Sequence, residues 1–181
     1  MAATTYISDE MRALVGRETG RQTAPPIDRS DIRRWAMAVY HPETPPRLFW
    51  DEAYAATTVH GGIVAPEEFN PFAWLIADPE ADGGASRRGS EPSPEGYVGG
   101  PESPFGVAPP PVRFQLNGGI EVEYSGVRMR PGDVITSTGS IADFHEREGR
   151  LGLMLFSVTE SHWHNQRGEL VKISRGTLIR Y

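Results

Sequence analysis

His41, with Glu43 two residues further on, is the first place in this 181-residue sequence where side-chain types and spacing could move a proton. An imidazole exchanges protons near neutral pH, and a neighbouring carboxylate can orient it. His60 stands directly before the turn Gly61-Gly62-Ile63-Val64-Ala65-Pro66 and could touch a reacting group or its water. Within the turn, Gly61, Gly62, Ile63 and Val64 are the candidate substrate-binding positions, since backbone N–H groups at a helix start can receive negative charge. His162 and His164 alternate onto one strand face, a spacing that can hold a metal; the local sequence supplies no third ligand, so no metal is expected. Each group also has a plain structural role open to it. His41 would be a solvated turn residue, His60 a cap or packing group, the glycine turn a tight helix entry, and His162/His164 an exposed hairpin pair.

Several elements must position these groups. Ser8-Asp9-Glu10 can cap a short helix running through Leu14 and ended by Gly16. A stronger helix follows Pro25-Pro26, with Ser30 as its expected cap and Ile32, Trp35, Ala36 and Val39 on one face. Pro42, Pro45 and Pro46 stop it, and Asp51 caps a short helix over Glu52 to Ala56. Pro66 then reads as the first position of a buried helix through Phe69, Phe72, Ala73, Leu75 and Ile76. Residues 79–111 are rich in Gly, Pro and Ser and read as a flexible insertion within one domain spanning 1–181. Beyond it the period changes to that of strands: Gly119 to Ser125, Val134 to Phe144, Leu151 to Trp163 and Leu170 to Tyr181. Turns are expected at 129–133, 146–150 and 165–168. Tight turns imply antiparallel neighbours. The order of a long apolar helix followed by a run of strands suits an α+β hot-dog fold, a sheet wrapped around a central helix.

Composition narrows the function. A net charge of −6 argues against nucleic acid as the main partner. With no cysteine, disulfides, thiolate nucleophiles and cysteine-bound zinc are excluded. No apolar run approaches the roughly 18 residues a membrane helix needs, and the first residues carry no signal-peptide pattern, so a soluble cytoplasmic protein is expected. Gly-x-Ser-x-Gly, Walker and dinucleotide fingerprints are all missing from the sequence.

The string Asp31-Ile32-Arg33-Arg34-Trp35-Ala36, the 61–66 turn, Arg130-Pro131-Gly132-Asp133, and the tail Asn165-Gln166-Arg167-Gly168-Glu169-Leu170-Val171 with Arg175 and Arg180-Tyr181 resemble the MaoC-like dehydratases, more narrowly their N-terminal dehydratase domain. The resemblance implies reversible hydration of a trans-2-enoyl thioester, with acyl-CoA as substrate and no cofactor. The thioester oxygen would meet the 61–64 turn, and Arg128, Arg130, Arg175 and Arg180 could bind CoA phosphates. Active members carry Gly-Asp-x-Asn-Pro-x-His just after the first long helix. Here Tyr40-His41 and Leu48-Phe49-Trp50 occupy that region, so the acid/base pair is absent by type. The chain is similar to the non-catalytic subunit of steroid side-chain enoyl-CoA hydratases, which completes a pocket for a bulky acyl chain. The resemblance thus implies a catalytic MaoC-like partner chain or a homo-oligomer. Two alternatives stay open: an acyl-thioester binding or structural protein, and a self-sufficient hydratase or thioesterase using His41 or His60.

Overall fold

The computed structural model describes residues 5–75 and 95–181. The first helix, α1 (Asp9–Ala13), forms where Ser8 accepts a hydrogen bond from the Met11 N–H, and its chain leaves through Gly16 at a φ of 83°. A strand, β1 (Glu18–Thr23), follows. The long helix α2 (Arg29–Tyr40) buries Ile32 and Ala36 completely, while Trp35 meets Phe69 edge to face with ring centroids 5.6 Å apart. Asp51 caps α3 (Glu52–Ala56) by accepting from the Tyr54 N–H. Helices α2 and α3 share one apolar cluster with Ile63, Val64, Phe69, Met129, Ile135 and Val171.

Four long strands complete the sheet: β2 (Gln115–Tyr124), β3 (Thr136–Gly149), β4 (Gly152–His164) and β5 (Leu170–Arg180). All neighbours are antiparallel, in the order β1-β3-β4-β5-β2. Register places side chains in rows across one face, called here the inner face. One row reads Ser137, Trp163, Lys172, Tyr124; the next Gly139, Ser161, Ser174, Val122; then Ile141, Thr159, Gly176, Ile120. Two further rows carry Phe144, Ser157, Leu178, Asn117 and Glu146, Leu155, Arg180, Gln115. Ile141, Phe144 and Leu155 pack under Ile7, Met11 and Leu14 of the α1 region, forming a second apolar cluster joined by Phe105 and Val107.

Several expectations change. Asp28, not Ser30, caps α2: its carboxylate accepts from the Ser30 N–H, because the chain becomes helical one residue after it. Val39 is exposed, since the buried stripe narrows to Ile32 and Ala36. The turn expected at 146–150 is shorter, because β3 continues to Gly149 and pairs it with Gly152. No α-helix follows Pro66 among the described residues. Phe69 closes a turn on Pro66, and a single 3-10 turn spans Pro71–Trp74, with Asn70 accepting from the Phe72 N–H. Leu75 leaves it in extended conformation; Ile76 lies outside the described residues.

The segment expected to be flexible, 79–111, divides in two. Residues 79–94 lie outside the described residues. Residues 95–111 are described and tied down: Val98 bonds Val112 through the backbone, a 3-10 turn spans Ser103–Phe105, and Glu102 is fully buried against Arg180. Abundant Gly and Pro had suggested too little burial to offset ordering entropy. A single buried ion pair with Phe105 and Val107 anchored in the second cluster supplies it.

Candidate functional site

The middle of the inner face is built from side chains too small to fill it. Gly139, Ser161, Thr159, Ser174 and Gly176 occupy adjacent positions on three strands, leaving a trough between the two apolar clusters. Two connected cavities of about 380 and 540 Å³ lie along it; they share Pro101, Ile120, Thr159 and Gly176. Ile120 on its β2 wall is 68% exposed and Val122 40% exposed, so no described helix covers this part of the face. Small residues on a sheet face leave space for something else to pack there.

The trough ends differently at its two limits. Toward the β5 C-terminus, Arg180 and Glu102 are both completely buried and bonded to each other, and Ser157 accepts a further hydrogen bond from Arg180 at 2.8 Å. A Cβ on Gly100 would collide with this guanidinium, so glycine is required for the close approach. Toward the β5 N-terminus, the Lys172 ammonium lies 3.9 Å from the centre of the Trp163 ring and 5.8 Å from that of Tyr124. Lys172 is 7% exposed, and burial holds its ammonium below the ordinary lysine value, with Glu68 pulling in the other direction. Burial, together with Glu68 and Glu67, raises the Tyr124 phenol.

The candidate acid/base residues do not converge on the trough. His41 ends α2 and is exposed, as is Glu43, and no hydrogen bond joins them. His60 is half-buried, its N–H donating to the Thr58 hydroxyl. The turn lies beside it: Gly61 has a φ of 65° and donates to the Thr58 carbonyl, Ile63 and Val64 are buried in the first cluster, and Ala65 donates to the Met129 carbonyl. The N–H groups of Gly62, Ile63 and Val64 have no protein partner among the described residues. The helix expected to begin at this turn is not among those residues, so any charge-receiving role rests on these N–H groups alone.

The arginines are also dispersed. Arg128 donates to the Ala65 carbonyl at 2.6 Å and reaches Glu67, while Arg180 is sealed with Glu102. Arg175 lies on the outer face between Glu160 and Glu123. There, the hydrogen bond from His162, opposed by burial and aided by Arg175, holds Glu160 below the usual carboxylate range. Arg130 contributes its backbone N–H to Asp133. His162 and His164 stack at 6.4 Å, and no group of three potential metal ligands gathers among the described residues. Lys172 was missed in the sequence. Its signal was available, because it is the only lysine among 18 lysine and arginine residues.

Comparison with known proteins places this geometry. The model of a family described as FAS1-like, dehydratase domain region, matches residues 13–174. None of the curated proteins matches the sequence at a significant level. Among solved structures, the ChsH1-ChsH2 complex from Mycobacterium tuberculosis has a chain similar at a TM-score of 0.63 and 16% identity, covering 95% of this chain and 88% of that one. The R-hydratase PhaJ1 from Pseudomonas aeruginosa is similar at 0.51 and 16% identity, over 92% and 81% of the two chains. The HadBC (3R-hydroxyacyl-ACP dehydratase) complex from Mycobacterium tuberculosis is similar at 0.51 and 18% identity, over 88% and 95%. The fold is therefore an α+β hot-dog, with a five-stranded antiparallel sheet and few helices. Among the described residues no helix is long and apolar enough to cross a membrane.

Proposed function

We propose, since this chain belongs to the family of FAS1-like dehydratase domain regions, that it is a subunit of an enoyl-CoA hydratase (3-hydroxyacyl-CoA dehydratase) and forms the non-catalytic half of its acyl-CoA pocket. One observation carries this reading: among the described residues lining the open trough there is no histidine, and the carboxylate of its one acidic residue, Glu160, is taken up by His162 and Arg175 on the outer face. Space for an acyl chain is present, while proton transfer to an enoyl thioester needs a positioned acid and base. His41 and Glu43 are exposed and unjoined. The partner supplies the missing pair, and this chain supplies the wall that receives a bulky acyl group. The N–H groups of Gly62, Ile63 and Val64 are the candidates to contact the thioester oxygen.

Exposed apolar side chains and the assemblies of similar proteins support a partner chain. Met37 and Val39 of α2 are 54% and 52% exposed, with Trp50 and Tyr54 of the neighbouring segment also exposed. Two of the similar structures are complexes by their descriptions, ChsH1-ChsH2 and HadBC. The test is hydration of enoyl-CoA thioesters by the pure chain, then by the chain co-expressed with a MaoC-like partner that carries the acid/base pair. Activity only in the second case is expected. Robust turnover by the pure chain, abolished by His41→Ala or His60→Ala, would replace this reading with a self-sufficient enzyme.

A further inference from the structure

One register row beyond the trough, on the same face, stands a charged group to which the hydratase mechanism gives no work. Lys172 is the only lysine of the sequence, yet it is 93% removed from solvent while the arginines hold most of the surface ion pairs. Among the described residues no carboxylate lies within ion-pair distance of its ammonium and no hydrogen bond reaches it. Its contacts are two ring faces, Trp163 and Tyr124. An ammonium loses hydration on burial, and aromatic faces replace only part of it. Among the described residues the fully enclosed polar side-chain atoms without partners are Trp35 Nε1 and Arg180 Nε; Lys172 Nζ is not one of them, so its ammonium is not fully enclosed. One row along β5 on the same face stands Ser174, directly across from Ser161 of β4, and both line the trough.

We propose that Lys172 and the Ser161–Ser174 hydroxyl pair form a seat for the carboxylate of an elongated amphipathic acid, whose apolar body lies in the trough. The chemistry selects a carboxylate. One ammonium balances one negative charge, and two hydroxyls can donate to the second oxygen. A phosphate dianion would meet a single cation with Glu67 and Glu68 nearby, an arrangement short of positive charge. Beyond the head, Thr159, Gly176 and Gly139 give a floor without bulky side chains, with Ile120 as an apolar wall, along which a chain of methylenes fits. Arg180 at the far limit does not compete for the head group, because Glu102 already neutralises it. The seat is independent of the hydratase reading: it holds whether or not a partner chain supplies an acid and a base.

Binding of octanoate and of octanamide to the full chain tests the seat. The two probes share a body and differ in charge. Octanoate is expected to bind tighter by on the order of tenfold or more, as a charge-assisted contact requires. Lys172→Met should erase that preference while leaving octanamide binding intact, and Lys172→Arg should retain part of it. Because the sequence has one lysine, selective ¹³C-lysine labelling gives a single ε-methylene signal. That signal should shift with octanoate, and its titration midpoint should rise. Equal affinities for the two probes, an unchanged preference in Lys172→Met, or an unmoved lysine signal would each overturn the proposal. The NMR arm uses the unaltered chain, so it decides the matter even if a Lys172 variant fails to fold.

Discussion

Arg180 and Lys172 sit eight residues apart on one strand and face the same way, yet the chain treats the two cations in opposite fashions. At the Arg180 end a carboxylate is buried with the guanidinium and the segment bearing it is pulled onto the sheet. At the Lys172 end rings close around the ammonium, and among the described residues no carboxylate reaches ion-pair distance. A buried pair is costly to break, because removing either partner strands the other charge. A buried single charge already bears that cost, and relief comes when an anion arrives. The first arrangement therefore locks a segment, and the second holds a site ready.

The difference can be attacked at both ends. Glu102→Gln or Arg180→Met should destabilise the chain most, by about 3–5 kcal/mol, because one buried charge is left alone. Denaturant unfolding measures this, and a loss near zero would remove the locking role. Replacing both, as Glu102→Leu with Arg180→Met, should recover much of that loss, since no charge then remains inside. Gly100→Ala should cost less, roughly 1–3 kcal/mol, by pushing the guanidinium from its partner.

At the other end the sign reverses. Lys172→Met should stabilise the chain at neutral pH, as thermal unfolding would record. The ammonium is held below its unfolded value of 10.5 by burial, so the unfolded chain binds more protons between the two values. The lysine's cost is present in full below its folded-state value and fades as pH rises toward 10.5. The advantage of the methionine variant should fade over that same range. The smallest effect belongs to Glu68→Gln. Glu68 favours the charged lysine, so its loss should lower the Lys172 titration midpoint further, visible in the ¹³C signal.

Much of this architecture was legible in the sequence, and each failure has a physical cause. The four long strands could be read because apolar alternation and turn residues agree from Gly119 to Arg180; β2 begins earlier, at Gln115, where Gln-Leu-Asn-Gly breaks the alternation. Strand β1 was invisible: Glu18-Thr-Gly-Arg-Gln-Thr has no apolar residue, and backbone hydrogen bonds to β3, with one between the Thr23 and Thr136 hydroxyls, hold it at the sheet edge. Phe69 and Phe72 fall at helical spacing, but they are separate anchors, one against Trp35 and the other against Trp163 at 4.7 Å. A local pattern could not distinguish those contacts from one helix face. The chain does bend at Gly61 and Gly62, but 63–66 run on without turn or helix, and no α-helix follows them among the described residues. Nor could local reading pair Glu102 with Arg180, separated by 78 residues. For the candidate site, types were read and positions were not. His41 and Glu43 drew attention as chemistry, whereas the trough is made of residues chosen for being small.

The lone lysine also makes the chain's alkaline behaviour unusually simple to interpret. Every other basic side chain apart from histidine is a guanidinium, which keeps its proton throughout the range in which proteins stay folded. The outer ion pairs, Arg47 with Asp51, Arg167 with Glu169 and Arg175 with Glu160, therefore persist while the solution is made basic. Apart from the tyrosines, the side chain that then gives up a proton is the one enclosed by Trp163 and Tyr124. Among the basic side chains, a base titration of this molecule therefore reads one enclosed in its interior.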